Sequence, residues 1–296
     1  MKDLQIMHGD CLELMKNIPS RSVDMVLCDL PYGCTDCEWD NIIDAEILFA
    51  EYRRICKQNS NVLLFCNMGF AKYLMDNAFR SEYSHHLIWV KENKTRYLSV
   101  KKLPLSQHEI ILCFRINKYA NEQSHMKLRE YFINELEKSG KSIKLIKAEI
   151  PNYSAHHWFT TLSDFRIPTE KNYLRLQEVT GCFKRDYQSI RAEFLSEKNN
   201  TCTYNGKNES DVLNFAMTEK RYHPTQKPVK LLEYLINTYS NIGGLVLDNC
   251  MGSGSTGVAC INTGRKFIGI EKDETFFQIA KERIRLKCLT EMDSRG

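Results

Sequence analysis

Four consecutive residues, Asp29-Leu30-Pro31-Tyr32, carry the sharpest chemical suggestion in this chain. They follow the apolar run Val23–Cys28, which reads as a buried strand. A polar acceptor at the carboxyl end of a strand lies where open α/β sheets place their active sites. The proline fixes the local backbone, so nearby carbonyls point in a set direction. The tyrosine offers an aromatic face on which a planar base can stack. An exocyclic amino group would then give its two N–H bonds to the Asp29 side chain and a backbone carbonyl. That leaves the nitrogen lone pair directed at a group donor. Taken alone, the same tetrad also fits a strand end followed by a proline turn.

A second constellation is Val246-Leu247-Asp248-Asn249-Cys250-Met251-Gly252-Ser253-Gly254-Ser255-Thr256. It reads as a buried strand, a Gly-x-Gly turn and the start of a helix, and the glycines let a ligand approach the backbone closely. About 20 residues beyond the start of this turn, Glu271 ends the next apolar run, with Lys272 and Asp273 after it. An acid in that place can accept from both hydroxyls of a ribose. The pair of features points to an adenosine-type ligand. A nucleotide-dependent oxidoreductase would show a tighter three-glycine fingerprint, which is absent here.

Other chemistry-bearing residues fit less well. Cys34 and Cys37 have zinc-ligand spacing, with Cys28 nearby, but no second pair follows at finger-like distance, so no metal site is expected. A cysteine nucleophile acting on cytosine C5 would want a Pro-Cys pair, and none occurs. Lys91, Lys94, Arg96, Lys101 and Lys102 form a basic stretch beside Trp89 and Tyr97, suited to phosphates or to a solvated loop. His156-His157-Trp158-Phe159 is a conspicuous cluster, assigned to packing or to nucleic-acid contact through His157 and Trp158.

The elements that must position these groups alternate strand and helix. Asn61–Asn67, His86–Val90 and Glu109–Arg115 read as strands, and Glu46–Lys57 as a helix with Ile47, Leu48, Tyr52 and Ile55 at helical spacing. The last third repeats the style. Helices are expected at Leu231–Tyr239 and Thr275–Cys288, and strands at Gly244–Asp248 and Lys266–Ile270. This alternation predicts a mainly parallel sheet with helices on both faces. The middle, roughly 119–217, is more polar and reads as helical, without buried strands. Leu128, Tyr131, Phe132 and Leu136 share one helix face, and Ser139-Gly140 can stop that helix. Further helices are expected at Ser142–Ala148, Glu170–Glu178 and Asp186–Leu195, the pair around Gly140 giving a helix-turn-helix-like pattern. Residues 198–211 are turn-rich and read as a flexible connection.

The 296 residues suffice for one large α/β domain with a sizeable insertion. A net charge of +4 permits a nucleic-acid partner without demanding one. No apolar run approaches a membrane span and no secretory leader is visible, so the 12 cysteines are expected reduced and the protein cytoplasmic.

The tetrad Asp29-Leu30-Pro31-Tyr32 resembles the Asp-Pro-Pro-Tyr catalytic motif of DNA amino-methyltransferases, and Asp248–Thr256 resembles their S-adenosylmethionine (AdoMet) motif. His223-Pro224-Thr225-Gln226-Lys227-Pro228 is similar to the segment that precedes the latter, and His8-Gly9-Asp10-Cys11 to the end of their opening strand. The catalytic motif comes first and an insertion follows it, the order of the β class. The resemblance covers residues 4–118 and 219–288. It departs at Leu30, where the family has proline. The carbonyl survives this change, and the residue before Pro31 is still held extended.

The resemblance implies an α/β, Rossmann-like AdoMet-dependent methyltransferase fold with permuted motif order and a helical insertion. Residues 1–118 and 219–296 would form the catalytic domain and 119–218 the target-recognition insertion. It implies methyl transfer from AdoMet to N6 of adenine in double-stranded DNA, with Asp29, Leu30, Pro31 and Tyr32 catalytic. Asp10, Cys11, Thr225, Lys227, Asp248, Met251, Gly252, Ser253, Gly254, Ser255, Thr256, Glu271 and Lys272 would bind the cofactor. Cytosine N4 is the alternative target, and an RNA methyltransferase or an inactive DNA-binding relative the alternative proteins. A homodimer and a cognate restriction endonuclease are the further partners it raises.

Overall fold

The computed structural model describes residues 4–33, 41–77, 82–95, 101–102, 104–117, 126–150, 155–160, 165–198, 204–206, 210–216, 222–223 and 225–293. By compactness the chain divides into two units. One holds residues 1–117 and 202–296, and the other residues 118–201.

The first unit is built on a mixed sheet. Its strands are β1 (Leu4–His8), β2 (Val23–Cys28), β3 (Cys56–Cys66), β4 (Tyr83–Thr95), β5 (Ser106–Ile116), β6 (Val212–Asn214), β7 (Leu245–Asp248) and β8 (Lys266–Glu271). Their order across the sheet is β1-β8-β7-β2-β3-β5-β4-β6. The pairings among β1, β8, β7, β2 and β3 are parallel, as is that of β4 with β6. The mainly parallel sheet read from the sequence holds, with one correction: β5 runs antiparallel to both β3 and β4. Its first residues therefore lie beside the last residues of β3, where Ile110 faces Cys66.

Period-2 alternation sends each strand's apolar residues to two cores. From β2, Val26 and Cys28 join Leu48, Phe49 and Tyr52 of α2 (Ala45–Ile55) and Phe70 of α3 (Met68–Asn77) on one face. Met25 and Leu27 point the other way, with Leu232 and Leu235 of α8 (Val229–Tyr239), Cys260 of α9 (Ser255–Thr263) and Ile284 of α10 (Glu274–Asp293). A short α1 (Cys11–Met15) follows β1.

Two elements depart from the sequence reading. Val212–Asn214, inside the stretch expected to lack strands, extends the sheet edge beside Ile88–Val90. Alternation of one buried residue between two exposed ones gives too little pattern to recognise alone. Within the expected flexible connection, Asn205 is tied to the end of α8. Its backbone N–H donates to Thr238 at 2.8 Å, and its amide to Asn237 and Ser240 carbonyls at 3.1 and 3.3 Å.

The second unit contains α4 (Met126–Lys138), α5 (Ile143–Glu149), α6 (Glu170–Thr180) and α7 (Tyr187–Lys198), with a 3-10 turn at Ala155–Trp158. Leu128 and Phe132 of α4 are fully buried against Tyr173, Leu176, Phe183 and Ile190. Ser142 caps α5 by accepting from Leu145, and Gly181 ends α6 in the left-handed conformation.

Candidate active site

β2 and β7 are parallel neighbours, with Met25 opposite Val246 and Val26 opposite Leu247. Their carboxyl ends thus bring Asp29 and Asp248 side by side, although the residues are far apart in the chain. β8 lies beyond β7 and β1 beyond β8, which adds Glu271 and Gly9–Cys11 to the same edge. There a cavity of about 240 Å³ opens. It is lined by Asp10, Cys11, Asp29, Leu30, Pro31, Tyr32, Thr225, Lys227, Asp248, Met251, Gly252, Ser253, Ser255, Thr256, Glu271 and Lys272. The structure therefore brings together every expected catalytic and cofactor residue except Gly254. That glycine lies behind the wall, at φ +79°, against Ala280 of α10.

At the cofactor end, Glu271 is 9% exposed, and its carboxylate accepts from the backbone N–H of Gly252 and of Asp273, both at 2.8 Å. Burial raises its acid while these N–H groups hold it down. Asp248 is buried and accepts from the Thr256 hydroxyl at 2.6 Å and the Cys250 N–H at 3.2 Å. Desolvation pushes its carboxyl up to about 7. Asp10 caps α1, accepting from Leu12 and Glu13, with the Lys272 ammonium 3.7 Å away. Cys11 and Cys28 are buried thiols. The contact with Cys250 and burial raise the first, and burial pushes the second up to about 12, so neither is a thiolate near neutral pH.

At the tetrad end, both oxygens of Asp29 are engaged. The Tyr32 hydroxyl donates to Oδ1 at 2.6 Å and the Lys227 ammonium to Oδ2 at 2.5 Å. Lys227 is buried, lies 3.3 Å from Glu109 Oε2, and sits over the Phe65 ring at 5.0 Å. Burial alone would lower its pKa, but Asp29 and Glu109 more than offset this and raise it. Glu109 in turn is held low against its own burial by Lys227 and Lys91. Leu30 is packed in the core at 3% exposure, which explains how an apolar residue is accommodated between Asp29 and Pro31. Tyr32 tilts against Phe70, ring centroids 5.1 Å apart.

Sequence reasoning missed Phe65, Glu109, Gln226 and Phe276, all lining the cavity. Gln226 braces the Gly-x-Gly turn by accepting from Ser253 Oγ at 3.3 Å. The only signal for Glu109 was an acid heading an otherwise apolar run.

The expected nucleic-acid residues do not line this cavity. Lys91 donates to Glu109 and lies over Trp89 at 5.5 Å, so its charge serves the strand pair rather than open solvent. Lys94, Lys101 and Lys102 are exposed. Trp158 is a correction: at 2% exposure it belongs to the core of the second unit and presents no face to a ligand. Its neighbour His157 lies tilted against His156, ring centroids 3.8 Å apart. Arg96, Cys34 and Cys37 lie outside the described residues. Among the described residues, no cluster of histidine, cysteine or acid has metal-holding geometry, and no helix is long and apolar enough to cross a membrane.

Comparison with known proteins gives a consistent picture. The family model described as DNA methylase, of the N6 and N4 type, matches residues 23–282. The DNA adenine methyltransferase YhdJ of Escherichia coli (strain K12) is 28% identical over 292 residues, which covers 94% of this chain and 82% of that protein. The type II methyltransferase M.HinfI of Haemophilus influenzae is 23% identical, over 95% of this chain and 68% of its own length. Among solved structures, the M1.HpyAVI–SAM complex superposes with a TM-score of 0.56 at 21% identity, covering 95% of this chain and 99% of that one. The cytosine-N4-specific PvuII DNA methyltransferase gives 0.55 at 14%, over 95% and 86%. The fold is thus that of AdoMet-dependent DNA methyltransferases, α/β and Rossmann-like.

Proposed function

The chain belongs to the DNA methylase family that its residues 23–282 match, and from that premise we propose that it methylates N6 of adenine in duplex DNA. Transfer of a methyl group to DNA at an amino nitrogen is the family's activity. The choice of adenine rests on the acid that heads the tetrad and on the likeness to a relative named as an adenine methyltransferase. The observation that carries the reading is the meeting of Asp29 and Glu271 in one cavity, at the carboxyl ends of the parallel strands β2 and β8 on either side of β7.

The pocket's donor and acceptor set fits AdoMet. Glu271 would take the ribose hydroxyls, Asp10 and Phe276 would flank the purine, and the backbone at Met251–Ser253 would receive the remainder. When bound, AdoMet supplies a methyl group on positively charged sulfur, electrophilic enough that no covalent enzyme intermediate is needed. The target base must leave the duplex stack to reach the pocket. Asp29 and the Leu30 carbonyl accept from its amino group, and Tyr32 supports its ring. These residues orient the nitrogen lone pair, so the catalytic contribution is positioning and electrostatics. The motif order is the one expected of the β class and supports that reading, in which residues 118–201 would read the target sequence.

The test is incubation of isotope-labelled AdoMet with mixed genomic DNA, then nucleoside digestion and mass spectrometry. Labelled N6-methyladenine is expected. Labelled N4-methylcytosine would keep the mechanism and overturn the base. Deletion of 118–201 should abolish sequence choice and spare AdoMet binding, and unchanged specificity would remove the recognition role from that unit.

A further inference from the structure

Lys227 stands in the segment that leads into the Gly-x-Gly strand, where the sequence suggests a cofactor ligand. The structure turns its ammonium the other way. Nζ meets Asp29 Oδ2 at 2.5 Å and Glu109 Oε2 at 3.3 Å, and is closed off by the Phe65 ring. Beyond Glu109 lies Lys91, itself bonded to that carboxylate. The four charges alternate in sign, Asp29, Glu109, Lys227 and Lys91 summing to zero, with the negative Asp29 at the tetrad.

Such a network is poor value as a source of stability, since desolvating ions consumes most of what their attraction returns. Its effect is geometric. A carboxylate on a strand end has two torsions and two equivalent oxygens, and an incoming amino group needs one oxygen in one place. Lys227 takes Oδ2 and so fixes the plane of the carboxylate. Oδ1 is left towards Tyr32, whose hydroxyl is a single rotatable donor that an amino N–H can join or replace. The charge order matters too. The target nitrogen gains positive charge as it is alkylated, and the nearest group it meets is the anion, with the cation behind.

We propose that Lys227 is a positioning residue for the base-binding carboxylate, held in place by Glu109, and not a ligand of the cofactor. This rests on the reading of Asp29 as the acceptor of the target amino group. Glu109 extends the role to a residue outside both motifs. It reaches this edge because β5 runs antiparallel to β3 and so presents its opening residues beside the end of β3, the strand next to β2.

The experiment measures single-turnover methylation of genomic DNA at saturating AdoMet, with AdoMet affinity by calorimetry, for Asp29→Ala, Lys227→Met and Glu109→Gln. Methionine keeps an apolar stem of similar length and removes the ammonium, with its charge and its hydrogen bond to Asp29. Lys227→Met is expected to lose roughly 100-fold in rate, the scale of a reacting group misplaced by about 1 Å, with AdoMet affinity unchanged. Weakened AdoMet binding with the rate restored at saturation would return Lys227 to the cofactor and overturn the proposal. An unchanged rate would overturn it also. Should Lys227→Met fail to fold, Glu109→Gln decides. It keeps the lysine and loosens its anchor, so a partial loss of rate at unchanged AdoMet affinity is expected, and a wild-type rate refutes the role. Asp29→Ala separates the two readings. If that variant still methylates, the assignment of Asp29 fails. If it is inactive while Lys227→Met is not, only the positioning role fails.

Discussion

Replacing Glu271 with glutamine tests the cofactor end of the site, and its size can be worked from the geometry. Each carboxylate oxygen of Glu271 accepts one backbone N–H, from Gly252 and from Asp273, at 2.8 Å. A carboxylate oxygen can accept more than once, so each keeps capacity for a ribose hydroxyl. Glutamine turns one oxygen into an NH2 group. A backbone N–H then faces a donor, one hydroxyl loses its acceptor, and the remaining bond loses its charge. Hydrogen bonds to charged groups contribute about 1.5–3 kcal/mol each, so the combined loss is about 3 kcal/mol. At about 1.4 kcal/mol per decade this is a Kd raised roughly 100-fold. Titration calorimetry with AdoMet and with S-adenosylhomocysteine reads it directly. The rate at saturating AdoMet should stay near wild type, because Glu271 does not touch the transferring group. An affinity that hardly moves would refute the reasoning, and would leave Glu271 as a brace for the Gly252 turn alone.

Three further outcomes are expected. Gly254→Ala places a Cβ 2.9 Å from Ala280 Cβ and 3.1 Å from its Cα, at a φ of +79° that L-residues avoid. Strain and overpacking together should cost about 3 kcal/mol, seen as a lower urea midpoint. Phe132→Ala empties the centre of the second unit, where Phe159, Phe165, Tyr173 and Phe183 surround it. A loss of about 3–5 kcal/mol should expose residues 118–201 to limited proteolysis, yet leave AdoMet affinity intact. Asp248 gives a pH dependence. Its carboxyl stands at about 7 in the fold against an ordinary 3.8, so the folded chain binds this proton more tightly than the unfolded one. Its contribution is full below about pH 4 and is lost as pH rises to about 7, at most about 4 kcal/mol. The urea midpoint of the cofactor-free protein should carry this fall, and Asp248→Asn should flatten it.

Much of this site could be read from the chain because its parts obey local rules. Met25–Cys28 and Leu245–Leu247 are continuous apolar runs, as strands buried on both faces must be. The acids that follow them fall at the carboxyl ends, where a parallel sheet opens its crevice. Glu109 obeys the opposite rule. It belongs to the beginning of a strand, and only the reversal of β5 carries that beginning to the functional edge. Nothing within Ser106–Ile116 encodes the reversal, since antiparallel and parallel central strands share the same apolar pattern. Lys227 was legible as a site residue but not in its partner, because the partner is chosen by the fold across the sheet. Trp158 was left between packing and nucleic-acid contact because an aromatic beside two histidines looks the same in sequence whether it faces a nucleic acid or the core of a helical unit, and the fold decides for the core.

The same topology explains why motif order matters so little to the chemistry. The tetrad and the Gly-x-Gly turn meet in one cavity because β2 and β7 are hydrogen-bonded neighbours running the same way, a relation that holds wherever the chain begins. What the order does decide is which connection is long. Here the crossing from β5 back to the sheet edge passes through residues 118–201, which have their own aromatic core around Phe132. A unit with its own core can change surface residues without disturbing the strands that aim Asp29 and Glu271. On the proposed function, target choice and methyl transfer would then rest on separate sets of contacts, and substitutions on the exposed faces of α4–α7 are expected to alter which DNA is modified far more than how fast.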